Sequence, residues 1–88
     1  MIFEPYKAYK YVRLSTDEIR FTEFSAVCLE HKDLVKEGEK AYSAGLISVW
    51  PDCIKMQMTG SMSLRIQTIS SDYPMLEKII GKPFRGRL

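Results

Sequence analysis

The side chains in this sequence that could do chemistry are few, and most stand alone. His31 is the sole histidine, and Cys28 precedes it by three residues. On a helix that spacing puts thiol and imidazole on one face about one turn apart, the arrangement thiolate activation needs. A nucleophile and its base also require an oxyanion donor and a cleft. Between Cys28 and Val35 on an apolar stripe, His31 fits a packed or hydrogen-bonded histidine better. Cys28 and Cys53 are the only cysteines, so a closed zinc site, which takes four ligands, cannot be collected from them. Gly60, Gly81 and Gly86 are isolated, so no glycine-rich loop cradles a phosphate. Asp17, Glu18 and Glu23 sit where helix capping and solvent exposure explain them. The sequence therefore predicts no catalytic residue, no metal ligand set and no cofactor.

Binding chemistry has more support. From Tyr6 to Arg13 basic groups alternate with aromatic rings, the combination that single-stranded nucleic-acid platforms use to attract phosphates and stack bases. Lys7, Tyr9, Lys10, Tyr11 and Arg13, joined by Arg65, Lys82, Arg85 and Arg87, form the candidate surface for nucleic acid or a nucleotide. A net charge of +2 is mild for a dedicated nucleic-acid binder, and tyrosines and lysines are also ordinary occupants of a strand at a sheet edge. Trp50, before Pro51, is an aromatic anchor for an interface. Met56, Met58 and Met62 offer either a soft binding surface or, at strand spacing, core filler; the latter is preferred.

These residues need elements to position them. Tyr6 to Leu14 reads as a strand. Ser15-Thr16-Asp17-Glu18 matches a capping box, opening a helix from Thr16 to Ala44. Phe21, Phe24, Val27, Cys28, His31, Leu34, Val35 and Tyr42 fall on one side of it. The rival, a strand from Ile19 to Leu29, would bury Glu23 beside Phe21 or expose Phe24 with Cys28. A continuous helix would run about 43 Å, so either Gly38 breaks it or Phe21, Phe24 and Val27 pack on a second subunit, with Gly45 as its stop. Leu46 to Trp50 is a strand, and Pro51-Asp52 a turn. Ile54, Met56 and Met58 then alternate with polar residues, as do Met62, Leu64 and Ile66. They read as a hairpin around Thr59-Gly60-Ser61, with both apolar rows on one buried face. Ser71-Asp72 caps a short helix through Ile80, with Met75, Leu76, Ile79 and Ile80 inward and Gly81 as its stop. Residues 82–88 form an exposed basic tail.

The expected fold is α+β, ordered strand, long helix, three-stranded antiparallel meander, short C-terminal helix, as one domain over 1–88. That order is similar to the double-stranded RNA-binding domain, but Ser71-Asp72-Tyr73-Pro74 and Glu77 stand where that family carries a basic cluster. No family is assigned from it.

Hydrophobic residues make up 45% and charged residues 27% of the 88 positions, the balance of a folding globular chain. No apolar run reaches the roughly 20 residues that cross a bilayer. The start lacks a signal-peptide pattern and the two thiols are expected to stay reduced, so the expected compartment is cytoplasmic. The leading expectation is a small non-enzymatic interaction or regulatory protein, of the size class of phage or plasmid accessory proteins. It would bind a protein partner or a second copy of itself through Phe21, Phe24, Val27 and Trp50, with nucleic acid or nucleotide binding as the alternative and no membrane partner.

Overall fold

The computed structural model describes residues 1–25 and 29–87, the last two by backbone alone. The fold is α+β: a five-stranded sheet and one α-helix. Strands β1 (Lys7–Leu14), β2 (Ile19–Glu23), β3 (Ala41–Val49), β4 (Ile54–Thr59) and β5 (Phe84–Arg87) lie in the order β2-β1-β3-β4-β5, and helix α1 (Asp72–Ile80) connects the last two. A short 3₁₀ turn, His31–Leu34, lies between β2 and β3.

The predicted helix from Thr16 to Ala44 is not formed. The described molecule extends at most 36 Å, shorter than the roughly 43 Å such a helix would need. Ser15-Thr16-Asp17 is instead a tight hairpin loop: Asp17 takes φ 70, a left-handed conformation that Asp tolerates. The Leu14 N–H reaches Glu18 O at 2.8 Å. The polar residue types that cap helices also make turns, and here β1 offers a pairing edge. Ile19 and Phe21 then alternate with Arg20 and Thr22 in register with β1, Tyr11 opposite Phe21. The strand alternative was thus nearer for this segment. Gly38 sits in a turn at φ 83. Gly45, expected to stop a helix, lies inside β3 opposite Tyr11.

Arg20 ties the 3₁₀ segment to β2. Its guanidinium donates to Leu34 O at 2.8 Å, Glu39 Oε2 at 2.6 Å and Glu18 Oε2 at 2.8 Å. Chiefly through the Arg20 hydrogen bond, the Glu39 carboxyl is held down from 4.5 to about 2. A depressed carboxyl pKa contributes stability above its unfolded value and loses it as pH falls through the folded one. The parent melting temperature should therefore drop between pH 4.5 and about 2 by more than that of Glu39→Gln. Parallel acid dependences of the two in circular dichroism melts would contradict this linkage.

The β3/β4 ladder supplies the main departure on the C-terminal side. Ile47 pairs with Met56 but Leu46 with Met58, a register shift that leaves Gln57 as the extra residue of a bulge. Since side chains alternate faces, one inserted residue turns Met58 to the opposite face from Met56. The predicted strand through Met62, Leu64 and Ile66 is not formed either. Past Gly60, at φ 76, the chain turns, and only Ser61 and Ile66 form a bridge. A Cβ at Gly60 would stand 2.7 Å from Ile66 O, so that close return needs glycine. The two apolar rows therefore do not share a face: Met56 joins one core cluster and Leu64 packs on the other.

The two sheet faces are covered unequally. On one, Tyr9, Tyr11, Ile47, Val49, Ile54 and Met56 pack on Leu76 of α1. Its contact stripe is Tyr73, Leu76 and Ile80, whereas Ile79, predicted inward, is exposed. On the other, Val12, Leu14 and Ala44 are covered by Leu34, Val35, Leu64 and Ile66. Gly81 ends α1 in the left-handed region, as predicted. Residues 84–87, predicted as exposed tail, form β5, parallel to β4. The Phe84 ring packs edge-on against Tyr73, and its N–H donates to Glu77 Oε2 at 2.7 Å. Among the described residues, no helix is long and apolar enough to cross a membrane.

Candidate functional site: an open methionine-lined face

The densest polar constellation in the fold is closed. Asp72, fully buried at the start of α1, accepts from Ser43 Oγ at 2.6 Å, Tyr11 OH at 2.8 Å, Arg13 Nη1 at 3.1 Å and the Ile69 N–H at 3.2 Å. Arg13 also donates to Ser71 Oγ at 2.7 Å and Asp17 Oδ1 at 2.8 Å. Burial pushes the Tyr11 phenol well above its ordinary pKa, so it stays a donor. Carboxylate, guanidinium and hydroxyls satisfy one another and leave no room for a substrate, so this cluster joins α1 to the sheet.

The open chemistry lies on the other face, where the cover stops short. Beyond Leu34 and Ile66, the lining of a cavity of about 260 Å³ includes Lys10 of β1, Phe24, Glu30, His31, Leu46 of β3, Met58 and Met62. Leu46 forms its floor, being buried, and Phe24, Leu29, Met58 and Met62 are exposed. The bulge at Gln57 brings Met58 here, and the Gly60 turn brings Met62. The Lys10 ammonium lies 5.6 Å from the Phe24 ring centroid and donates to Leu29 O at 3.1 Å. Among the described residues it has no carboxylate partner in an ion pair. His31 Nε2 contacts Gly45 O at 2.8 Å; the carbonyl can only accept, so Nε2 carries the proton. Burial lowers the His31 pKa, with Lys10 adding in the same direction.

The strands continue this face toward Trp50. A smaller cavity of about 190 Å³ there is lined by Tyr6, Ala8, Ser48, Trp50 and Gln57. Trp50 donates from Nε1 to Ser48 Oγ at 3.0 Å and carries Lys55 Nζ 5.2 Å from its ring centroid. A wider depression of about 440 Å³ across the 60–67 loop holds Arg65 and Gln67, but its apolar lining is only Met62 and Ile66.

Of the interface residues expected from sequence, Phe24 and Trp50 thus lie along this face. Phe21 points to the covered face, where it packs on Phe3 with ring centroids 4.7 Å apart. Val27 and Cys28 lie outside the described residues, while Cys53 is a buried free thiol. The expected nucleic-acid surface is not assembled. Tyr9 and Tyr11 are core residues and cannot stack on bases, because both occupy the covered face. Arg13 is in the Asp72 cluster, and Lys7 is paired with Glu4 at 2.6 Å and Glu23 at 3.2 Å. Lys82 donates to Trp50 O at 2.7 Å, Arg65 and Arg85 are exposed, and the Arg87 side chain lies outside the described set. Of the described members of that group, only Lys10 lines the open cavity.

Sequence reasoning placed Met58 and Met62 in the core and so missed them as site residues. The missed signal was Gly60 between Thr59 and Ser61, followed by Ser63: a run of turn formers better suited to a loop than to the start of a strand. Comparison with family models, curated proteins and solved structures returned no match for the chain.

Proposed function

We propose that the protein is a non-enzymatic docking module of the cytoplasm that engages a protein partner, a second copy of itself included, through the face between Phe24 and Trp50. The observation carrying this reading is the gathering of Phe24, Met58 and Met62, all exposed, around one cavity. Contiguous exposed apolar surface marks interaction sites, and methionines adapt to differently shaped partners. The one polar constellation that resembles a reactive centre is buried and internally satisfied. Nucleic acid is the weaker reading, because the tyrosines are in the core and Lys7 and Arg13 are already paired.

Affinity capture with three proteins tests it: the parent, a Met58→Lys/Met62→Lys variant, and Ile79→Lys on the helix at the opposite side. A partner held by the parent and Ile79→Lys but lost from the double variant supports the face assignment. Partners that leave with Ile79→Lys and remain with the double variant would refute it. Light scattering on the same proteins reports whether the partner is a second copy.

A further inference from the structure

We infer that the open face takes an acidic protein segment: an apolar anchor side chain seated over Leu46, with an aspartate or glutamate beside it to meet Lys10. This rests on the docking reading above and names the chemistry of its partner. Strand register fixes the seat. Thr22, Lys10, Leu46 and Met58 lie in one row across β2, β1, β3 and β4, and adjacent strands are about 4.8 Å apart. Leu46 is buried and lines the cavity, so an apolar group resting on it stands one strand spacing from Lys10 on one side and from Met58 on the other. Phe24 and Met62 line the same cavity. Its volume of about 260 Å³ has room for one large side chain, and anchors that fill such pockets dominate docking energetics.

Charge decides what stands beside that anchor. Among the described residues Glu30 is the one carboxylate lining either this cavity or the one beside Trp50, and Lys32 pairs with it at 3.4 Å. Lys7, at the Trp50 end, is matched by Glu4 and Glu23. Lys10 and, over the Trp50 ring, Lys55 have no carboxylate partner in an ion pair among the described residues. Leu29 O takes one N–H of the Lys10 ammonium, which has two more to offer an incoming carboxylate. The unmatched charge of the face is therefore positive, and complementary charge selects the partner. A second copy would bring the same unmatched lysines to the contact.

A random peptide library displayed on phage and selected on the parent protein is the probe. Recovered peptides should carry Asp or Glu close in sequence to a Leu, Phe, Met or Trp. Binding of one such peptide, read by fluorescence anisotropy, should weaken at least about tenfold in Lys10→Met, which removes the charge and keeps an apolar stem against Phe24. It should weaken at least as far in Met58→Lys/Met62→Lys and stay unchanged in Lys78→Met, on the helix that covers the opposite face. Affinity should fall as salt rises. Recovered peptides without acidic enrichment, or a peptide indifferent to Lys10→Met, overturn the proposal. So does a parent that fails to bind acidic peptides but dimerises in light scattering, or holds a thymine oligonucleotide, through Lys10. Peptides lost from the methionine double variant but not from Lys10→Met leave the docking face standing without its acidic partner. Peptides indifferent to both remove the face as well.

Discussion

Asp72→Ala should unfold at a far lower temperature than the parent, losing about 3–5 kcal/mol, the scale for removing one partner of a buried ion pair. The carboxylate is wholly buried and accepts from Ser43, Tyr11, Arg13 and the Ile69 N–H. Truncation leaves the Ser43 hydroxyl and the Ile69 amide without an acceptor and the Tyr11 hydroxyl with only Thr68 Oγ1, at 3.4 Å. Arg13 keeps Asp17 and Ser71, so the loss falls mainly on Tyr11 and Ser43. Domains of this size shift by about 4–8 °C per kcal/mol, so a calorimetric Tm should fall by tens of degrees. Tyr11→Phe and Ser43→Ala each remove one hydrogen bond and should cost about 1 kcal/mol. An Asp72→Ala melting point within a few degrees of the parent would mean that the cluster does not hold α1 on the sheet.

Met56→Asp should leave the chain unfolded at room temperature. Met56 is 1% exposed, among Tyr11, Ile47 and Ile54 on the covered face. An aspartate there has no cationic partner in that cluster, and burying an unpaired charge costs several kcal/mol. Whole domains hold only about 5–15 kcal/mol. Met56→Leu, of similar volume, should cost under about 1.5 kcal/mol. Circular dichroism separates the pair: an Asp variant that melts with the Leu variant would show that Met56 does not lie in the core.

What the sequence made legible was local. The period-two alternation through Ile54 and Met56, the turn at Pro51-Asp52, and α1 with its Gly81 stop depend on neighbours in the chain, and all appear in the fold. The region from Ser15 to Tyr42 misled because its apolar residues fit a helical stripe as well as alternating strands. What decides between them is pairing with β1 and β3, which lie outside any local window. Asp72 looked like a capping residue. Its wider role depends on Tyr11, Arg13 and Ser43, each distant in sequence. Of the open face, Phe24 and Trp50 were legible as interface anchors, and Lys10 as a candidate cation. Met58 and Met62 were not, because a single bulge reverses a face without leaving a pattern that alternation detects.

The open face rests on that bulge and on the Gly60 turn, which separate Met56, 1% exposed, from Met58 at 60% and Met62 at 93%. Brief oxidation of the native protein with dilute hydrogen peroxide, followed by peptide mass mapping, reads the separation directly, because sulfoxide formation follows exposure. Met58 and Met62 should be converted rapidly, with Met56 protected until the protein is denatured. Met56 oxidising as fast as Met58, or Met58 and Met62 as protected as Met56, would contradict the placement of the methionines on which the proposed site depends.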